Sequence, residues 1–140
     1  MTQLILIRGI PGSGKSTLAK HLKSALGSQI TVHLEADMFF MKDDVYEFDV
    51  NKLHAAHQWC QTETDNALFY KQDVIVSNTF TTIKELKPYF EIARYHGIIP
   101  IVYTCNNMFK NVHNVPEENM KRMRERFKHD ISELYENNPN

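Results

Sequence analysis

Cysteine is nearly absent from this chain: only Cys60 and Cys105 occur. They form no paired-thiol motif, and two cysteines cannot make a disulfide framework. Long hydrophobic runs are missing too. The opening "MTQLILIRG" has one short apolar run, ended by Arg8. It is too short for the apolar region of a signal peptide and far too short to span a bilayer. The expected setting is therefore intracellular and cytoplasmic, with no membrane partner. Neither sign of charge prevails, the formal net charge being −1. Overall electrostatics give no pull toward nucleic acid or an anionic membrane, and a polyanion would have to be held by a local patch. No repeat or low-complexity tract is visible. Glycine is scarce as well, five residues in 140, yet three of them crowd between positions 9 and 14.

What is present suits one compact domain of residues 1–140, with 42% apolar and 24% charged residues. "QLILIR" (3–8) is a continuous apolar run, as in a strand buried on both faces. "KSTLAKHLKSAL" places Leu18, Leu22 and Leu26 at helical spacing, and Gly27 is a natural stop. Further strands are expected at 30–37, 73–78 and 98–104, and Pro100 implies that the last starts late or lies at an edge. Further helices are expected at 51–71, 82–97 and 115–135, the last with Pro116 in its first turn. Strands alternate with helices, so the expected fold class is α/β: a short parallel sheet of four or five strands covered on both faces, in three αβα layers. Ligands bind such sheets at the carboxyl ends of the strands, so the loops after Arg8, His33, Val76 and Tyr103 should carry the chemistry.

The loop "RGIPGSGKST" (Arg8 to Thr17) matches the G-x-x-x-x-G-K-[ST] pattern of P-loop NTPases through Gly9, Gly14, Lys15 and Ser16. Gly12 and Gly14 let the backbone turn and approach oxygen atoms without an intervening side chain. The freed N–H groups, with that of Ser13 among them, form a nest for phosphate, and the following helix adds the positive end of its dipole. Pro11 stiffens the loop before binding and lowers the ordering cost. Lys15 can reach the β and γ phosphates, Ser16 can ligate Mg²⁺, and Thr17 continues the cradle. The expected ligand is ATP with magnesium.

The loop alone does not say where the γ phosphate goes. Motor ATPases and GTPases generally place an aspartate at the end of another apolar strand to hold magnesium. Here "DVIVSN" ends in Ser77 and Asn78, and "IIPIVYT" ends in Thr104. The carboxylates lie instead on "HLEAD". Glu35 and Asp37 are two apart and would share one side of an extended segment. Asp37 can accept a proton from an attacking hydroxyl, help typically worth about 10²- to 10⁴-fold. The bland alternative is a solvated acid or a cap on the next helix.

"GIPGSGKST", "ADMFF", "VIVSNTFTT" and "NVHNVPEENMKRMRERF" occur in that order, and with "AHQW" they make the chain resemble the P-loop kinases of the polynucleotide kinase type. That group includes related domains in eukaryotic proteins that bind ubiquitin ligases. The resemblance covers about Leu4 to Phe127. It implies an ATP-dependent kinase whose general base is Asp37, the first acid of an Asp-Asp-aromatic pattern, with Met38 in place of the second. It implies a nucleic-acid 5′-hydroxyl as the favoured acceptor. Where phage enzymes of this type hold the acceptor's phosphate with an arginine, this chain has Phe40, a ring that could stack on a nucleobase. The family's third strand often ends Asp-Thr-Asn, and here Asn78, Thr79 and Phe80 stand there.

His54, His57 and Cys60 suggest a metal set by type, but their spacing on a helix turns Cys60 away from the histidines, and packing is expected. Met38 to Met41 are expected in the core, with a wall of the acceptor cleft as the rival reading. A lid is expected over about 106–128, where six lysines and arginines meet three glutamates. Lys110 or Arg126 would fold over the triphosphate, whereas a solvated face would pair charges such as Arg122 with Glu118. From Glu35 to Asp49 six acids oppose Lys42 alone, which would repel a long nucleic acid. The rivals to a 5′-hydroxyl kinase are a kinase for a modified-base or small-metabolite hydroxyl, a non-catalytic ATP-binding module acting on a protein partner, and a plain ATPase.

Overall fold

The structure is a computed structural model and describes residues 1–106 and 115–136. A parallel sheet organises it. Strand β1 (Leu4–Arg8) is followed by helix α1 (Lys15–Leu26), β2 (Thr31–Leu34), a 3₁₀ turn (Ala36–Phe40), and a small hairpin of β3 (Met41–Lys42) and β4 (Val45–Tyr46). A second 3₁₀ turn (Val50–Lys52) leads into α2 (Leu53–Phe69), then β5 (Asp73–Ser77), α3 (Ile83–Tyr95), β6 (Ile101–Thr104), α4 (Glu117–Arg126) and α5 (Ser132–Glu136). The four long strands run in the order β2-β5-β1-β6. All their pairings are parallel, with Ile7 opposite Ser77 and Leu34 opposite Val76.

Every residue of β1 is buried, because successive side chains enter two different cores. Leu4 and Leu6 join Val74 and Val76 against α2 and α3, where Cys60, Leu68, Leu86 and Phe90 pack. Ile5, Ile7 and Ile75 face the other way, against Ala19, Leu18, Leu22 and Leu26 of α1. Each such aliphatic side chain contributes about 1.5–3 kcal/mol by leaving water. This is the expected α/β three-layer arrangement, with four strands in the main sheet among the described residues. Pro100 precedes β6, which begins at Ile101 and forms a sheet edge, as the proline implied.

Two elements end earlier than expected. Strand β2 stops at Leu34, not at residue 37, because the Ala36 amide donates to the Asn78 side chain and the Met38 amide to the Glu35 carbonyl, turning the chain into the 3₁₀ segment. Asp37 therefore stands on a turn and not on extended chain. The helix expected over 115–135 is two helices with a break at Phe127, whose backbone is extended. Lys128 N–H donates to the Thr81 carbonyl, the Phe127 ring lies 4.1 Å from the Arg8 guanidinium carbon, and Asp130 accepts from the Ser132 amide. These bonds pull the chain out of helix and cap the next one.

Arg8 is fully buried at the end of β1. Its Nε and Nη2 donate to the Phe80 carbonyl at 3.0 and 2.7 Å. Phe80 has φ 47°, an uncommon left-handed conformation for a non-glycine residue, and its ring is buried edge-on to Tyr89. Burial lowers the Arg8 pKa, partly offset by Glu85. Among the described residues no helix is long and apolar enough to cross a membrane.

Candidate active site

The loop after β1 is shaped by its own backbone. Gly12 and Gly14 adopt φ 82° and 97°, conformations that side chains disfavour. Gly9 is closed from above: a Cβ there would overlap Ser13 Oγ and lie 2.7 Å from the Cys105 carbonyl. Ser13 itself is fully buried, and its amide donates to the Ile10 carbonyl. No side chain caps α1, whose first intrahelical bond runs from Leu18 N–H to the Gly14 carbonyl. The amides of Lys15, Ser16 and Thr17 precede that bond, and an exposed helix start of this kind is a site for anions. Pro11 and Gly12 are half-buried on the same turn, and Ser16 and Thr17 are exposed.

Lys15 is half-buried, and its ammonium donates to the Ile10 carbonyl at 3.1 Å. Burial lowers its pKa, while Glu35, Cys105 and Asp37 act in the opposite sense. Both carboxylates are thus close enough for their charge to act on it.

Glu35, which sequence reasoning left open between a working acid and a solvated one, is the hub of a bonded cluster. Its Oε1 accepts from Ser16 Oγ at 2.8 Å and from Ser77 Oγ at 2.8 Å. His33 Nε2 lies 2.7 Å from Ser77 Oγ and 3.3 Å from Glu35 Oε1. Burial pushes the Glu35 pKa up, but hydrogen bonds from His33, Ser16 and Ser77 outweigh it and hold the group at about 2. The contact spans 19 residues from Ser16 to Glu35 and 42 from Glu35 to Ser77, so no local pattern announces it.

Asp37 is half-buried, and its Oδ1 accepts from Tyr46 OH at 3.2 Å. Tyr46 belongs to the hairpin, whose turn residues Asp43 and Asp44 both have positive φ. "DD" between the short runs "MK" and "VY" was the available signal for that turn. Burial and then Asp37 raise the Tyr46 pKa. Phe40 is 3% exposed and packs edge-on against Phe39, Tyr46 and Phe48. It is core, not a platform for a nucleobase. Met41 at the end of the same run is exposed.

Arg126 is exposed at the end of α4, and Lys110 lies outside the described residues, as does the lid span 107–114. Arg122 and Glu118 are 3.8 Å apart on α4, the surface pair expected of a solvated face. Among the described residues no group of three or more His, Cys, Asp and Glu gathers as a metal set, and Cys60 is in the core. The Ser16 hydroxyl beside an ionised carboxylate is a hard oxygen donor set, which fits magnesium, a cation that takes few protein ligands and shares phosphates.

Residues 4–108 match the protein family described as AAA domain. The chain is 32% identical over 139 residues to human NEDD4-binding protein 2, covering 92% of this chain and 8% of that protein. It therefore spans a small part of that relative's length. The solved structure of the Mycobacterium tuberculosis APS kinase CysC in complex with AMPPNP and APS is similar with TM-score 0.60 and 15% identity, over 96% of this chain and 72% of that one. A chain of the Pnkp1/Rnl/Hen1 complex is similar with TM-score 0.54 and 18% identity, over 86% of this chain and 38% of that one. The fold is the αβα fold of P-loop NTPases, shared with the APS kinase, and with its glycine loop, its parallel sheet and the match over residues 4–108 the chain belongs to the AAA domain family of P-loop proteins.

Proposed function

We propose that the protein is an ATP-dependent kinase that transfers the γ-phosphoryl group of ATP to a hydroxyl. Gly9, Pro11, Gly12, Ser13, Gly14, Lys15, Ser16 and Thr17 hold the triphosphate, with Ser16 as a magnesium ligand. Magnesium, when bound, neutralises charge on the phosphate oxygens. Asp37 takes the acceptor's proton as its oxygen bonds to the γ phosphorus. The bond from that phosphorus to the β–γ bridging oxygen breaks, and ADP leaves. Lys15 stabilises the transferring group, where most catalysis of this type arises. Arg126 and Lys110 are the candidate cations of a lid over 106–128.

The observation that carries this reading is the bond from Tyr46 OH to Asp37 Oδ1. A hydroxyl already donates to the carboxylate whose charge acts on Lys15. An acceptor hydroxyl displacing Tyr46 would meet an unblocked base. The likeness to polynucleotide kinase complexes favours a nucleic-acid 5′-hydroxyl. The six acids between Glu35 and Asp49 restrict that acceptor to a chain end, or favour a hydroxyl on a modified base or small metabolite.

One observation favours a second reading. Phe40, at the place of a phosphate-holding arginine, is buried and offers an acceptor no charge. That suits an ATP-binding module that acts on a protein partner. Transfer of label from γ-labelled ATP to oligonucleotides, nucleosides and small alcohols separates the two. The kinase reading expects at least one labelled acceptor, with transfer reduced about 10²- to 10⁴-fold in Asp37→Asn. ATP binding with no labelled acceptor supports the module, and phosphate release without any acceptor supports a plain ATPase.

A further inference from the structure

The two edges of the main sheet differ. Strand β2, at one edge, has no exposed residue. Strand β6, at the other, exposes Ile101, Tyr103 and Thr104. Ile101 lies opposite Ile5 and Tyr103 opposite Ile7, so their side chains share the α1 face of the sheet. Helix α1 packs on Ile5 and Ile7 but leaves Ile101 40% and Tyr103 44% exposed. The backbone of this edge is open as well. Cys105 N–H donates to the Arg8 carbonyl, toward β1. The N–H and C=O of one residue point to one side of a strand, and the sides alternate along the chain. Ile101 and Tyr103 therefore direct their backbone groups to β1, whereas Pro100, Val102 and Thr104 direct theirs outward. Pro100 has no N–H, and its carbonyl accepts from Tyr135 OH at 2.8 Å. Among the described residues no strand pairs with Val102 and Thr104 on the outer side. Exposed edges are usually guarded by charge, lysine above all, yet "IIPIVYTCN" (98–106) carries no charged side chain.

We propose that β6 pairs with β6 of a second copy of this chain, antiparallel about a twofold axis at Tyr103. In that register Val102 exchanges both its backbone bonds with Thr104 of the other copy, and the symmetry repeats the exchange, so every outward group of the two residues is satisfied. An axis at Val102 would instead set Thr104 against Pro100, which has no N–H and whose carbonyl Tyr135 already occupies. An uncharged strand is its own complement, and the exposed rings of Tyr103 meet across the axis, with Ile101 facing Cys105 on the same side of the sheet. Sedimentation equilibrium of the full chain tests this. A dimer is expected at concentrations up to about 100 µM, since stable interfaces of standard size bind at micromolar or tighter. Tyr103→Lys sets two ammonium groups face to face and should weaken association at least about tenfold. Tyr103 is exposed in the single copy, so the melting temperature of that variant should change little. The register is read by cross-linking in a Cys105→Ser background. Directly opposed residues of a non-hydrogen-bonded pair lie about 4.5 Å apart at Cα, within disulfide reach. Tyr103→Cys should therefore give a covalent dimer under mild oxidation, and Thr104→Cys should not. A wild-type chain that stays monomeric, a Tyr103→Lys variant that keeps full association, or cross-linking through Thr104→Cys in place of Tyr103→Cys would each overturn the pairing. The cysteine variants add no charge to the edge, so they report on it even where the lysine variant fails to fold.

Discussion

Between Gly9 and Thr17 the chain is held by its own backbone: positive φ at Gly12 and Gly14, Gly9 closed against Ser13 and Cys105, and a helix start with no side-chain cap. Between Ala36 and Leu53 side chains do the work. Phe40 anchors the segment in the core, and Met41, Val45, Tyr46, Phe48, Val50 and Leu53 remain exposed around it. The first region presents amides and one cation, which suit any triphosphate. The second presents rings and carboxylates, which suit particular partners. Under the proposed function, binding common to many substrates falls to main chain, and selection among acceptors to side chains that can change without disturbing the sheet.

The sharpest test of that division is Lys15→Ala. Loss of a preorganised cation should lower transfer about 10²- to 10³-fold for every acceptor alike, as kcat measured across an acceptor panel would report. Acceptor-dependent losses would erase the distinction between the regions. Next in size is Gly9→Ala. The new methyl meets the Cys105 carbonyl at 2.7 Å, and backbone cannot step aside as a side chain can. A cost of about 1–3 kcal/mol is expected in chemical denaturation, with weaker ATP binding. An unchanged denaturation midpoint would mean that the loop yields more than its contacts imply. The smallest effect belongs to Tyr46→Phe, which frees Asp37 from one partly exposed hydrogen bond worth about 0.5–1.5 kcal/mol. KM for the acceptor should shift less than about tenfold, with ATP affinity untouched. A change in ATP affinity instead would show that the hairpin belongs to the nucleotide side.

The loop was legible because its chemistry is written in consecutive residues, as was the alternation of apolar strands and helices behind it. Pro100 announced an edge strand for the same reason, since the missing N–H is a property of one residue. What stayed hidden depends on partners far along the chain. Asp37 leaves the extended path because Asn78 binds the Ala36 amide. The long C-terminal helix breaks because Phe127 covers Arg8, and Glu35 joins the site through Ser16 and Ser77. Helical spacing continued past Phe127 without a stop signal, and Glu35 looked like any acid at a strand end. Phe40 was expected in the core with stacking as the rival, and what fixes it there, the rings of Tyr46 and Phe48, comes together only through the hairpin.

The Arg8 guanidinium bears on where this domain can be cut. The family match stops at residue 108, yet the ring seated over that cation comes from Phe127. A fragment trimmed to the matched span would unroof a charged group at the root of the glycine loop and surrender the Lys128 bond to Thr81. The segment at Phe127 and Lys128 therefore supports the root of the glycine loop, and excision at the family boundary should unsettle the loop even though no loop residue is removed.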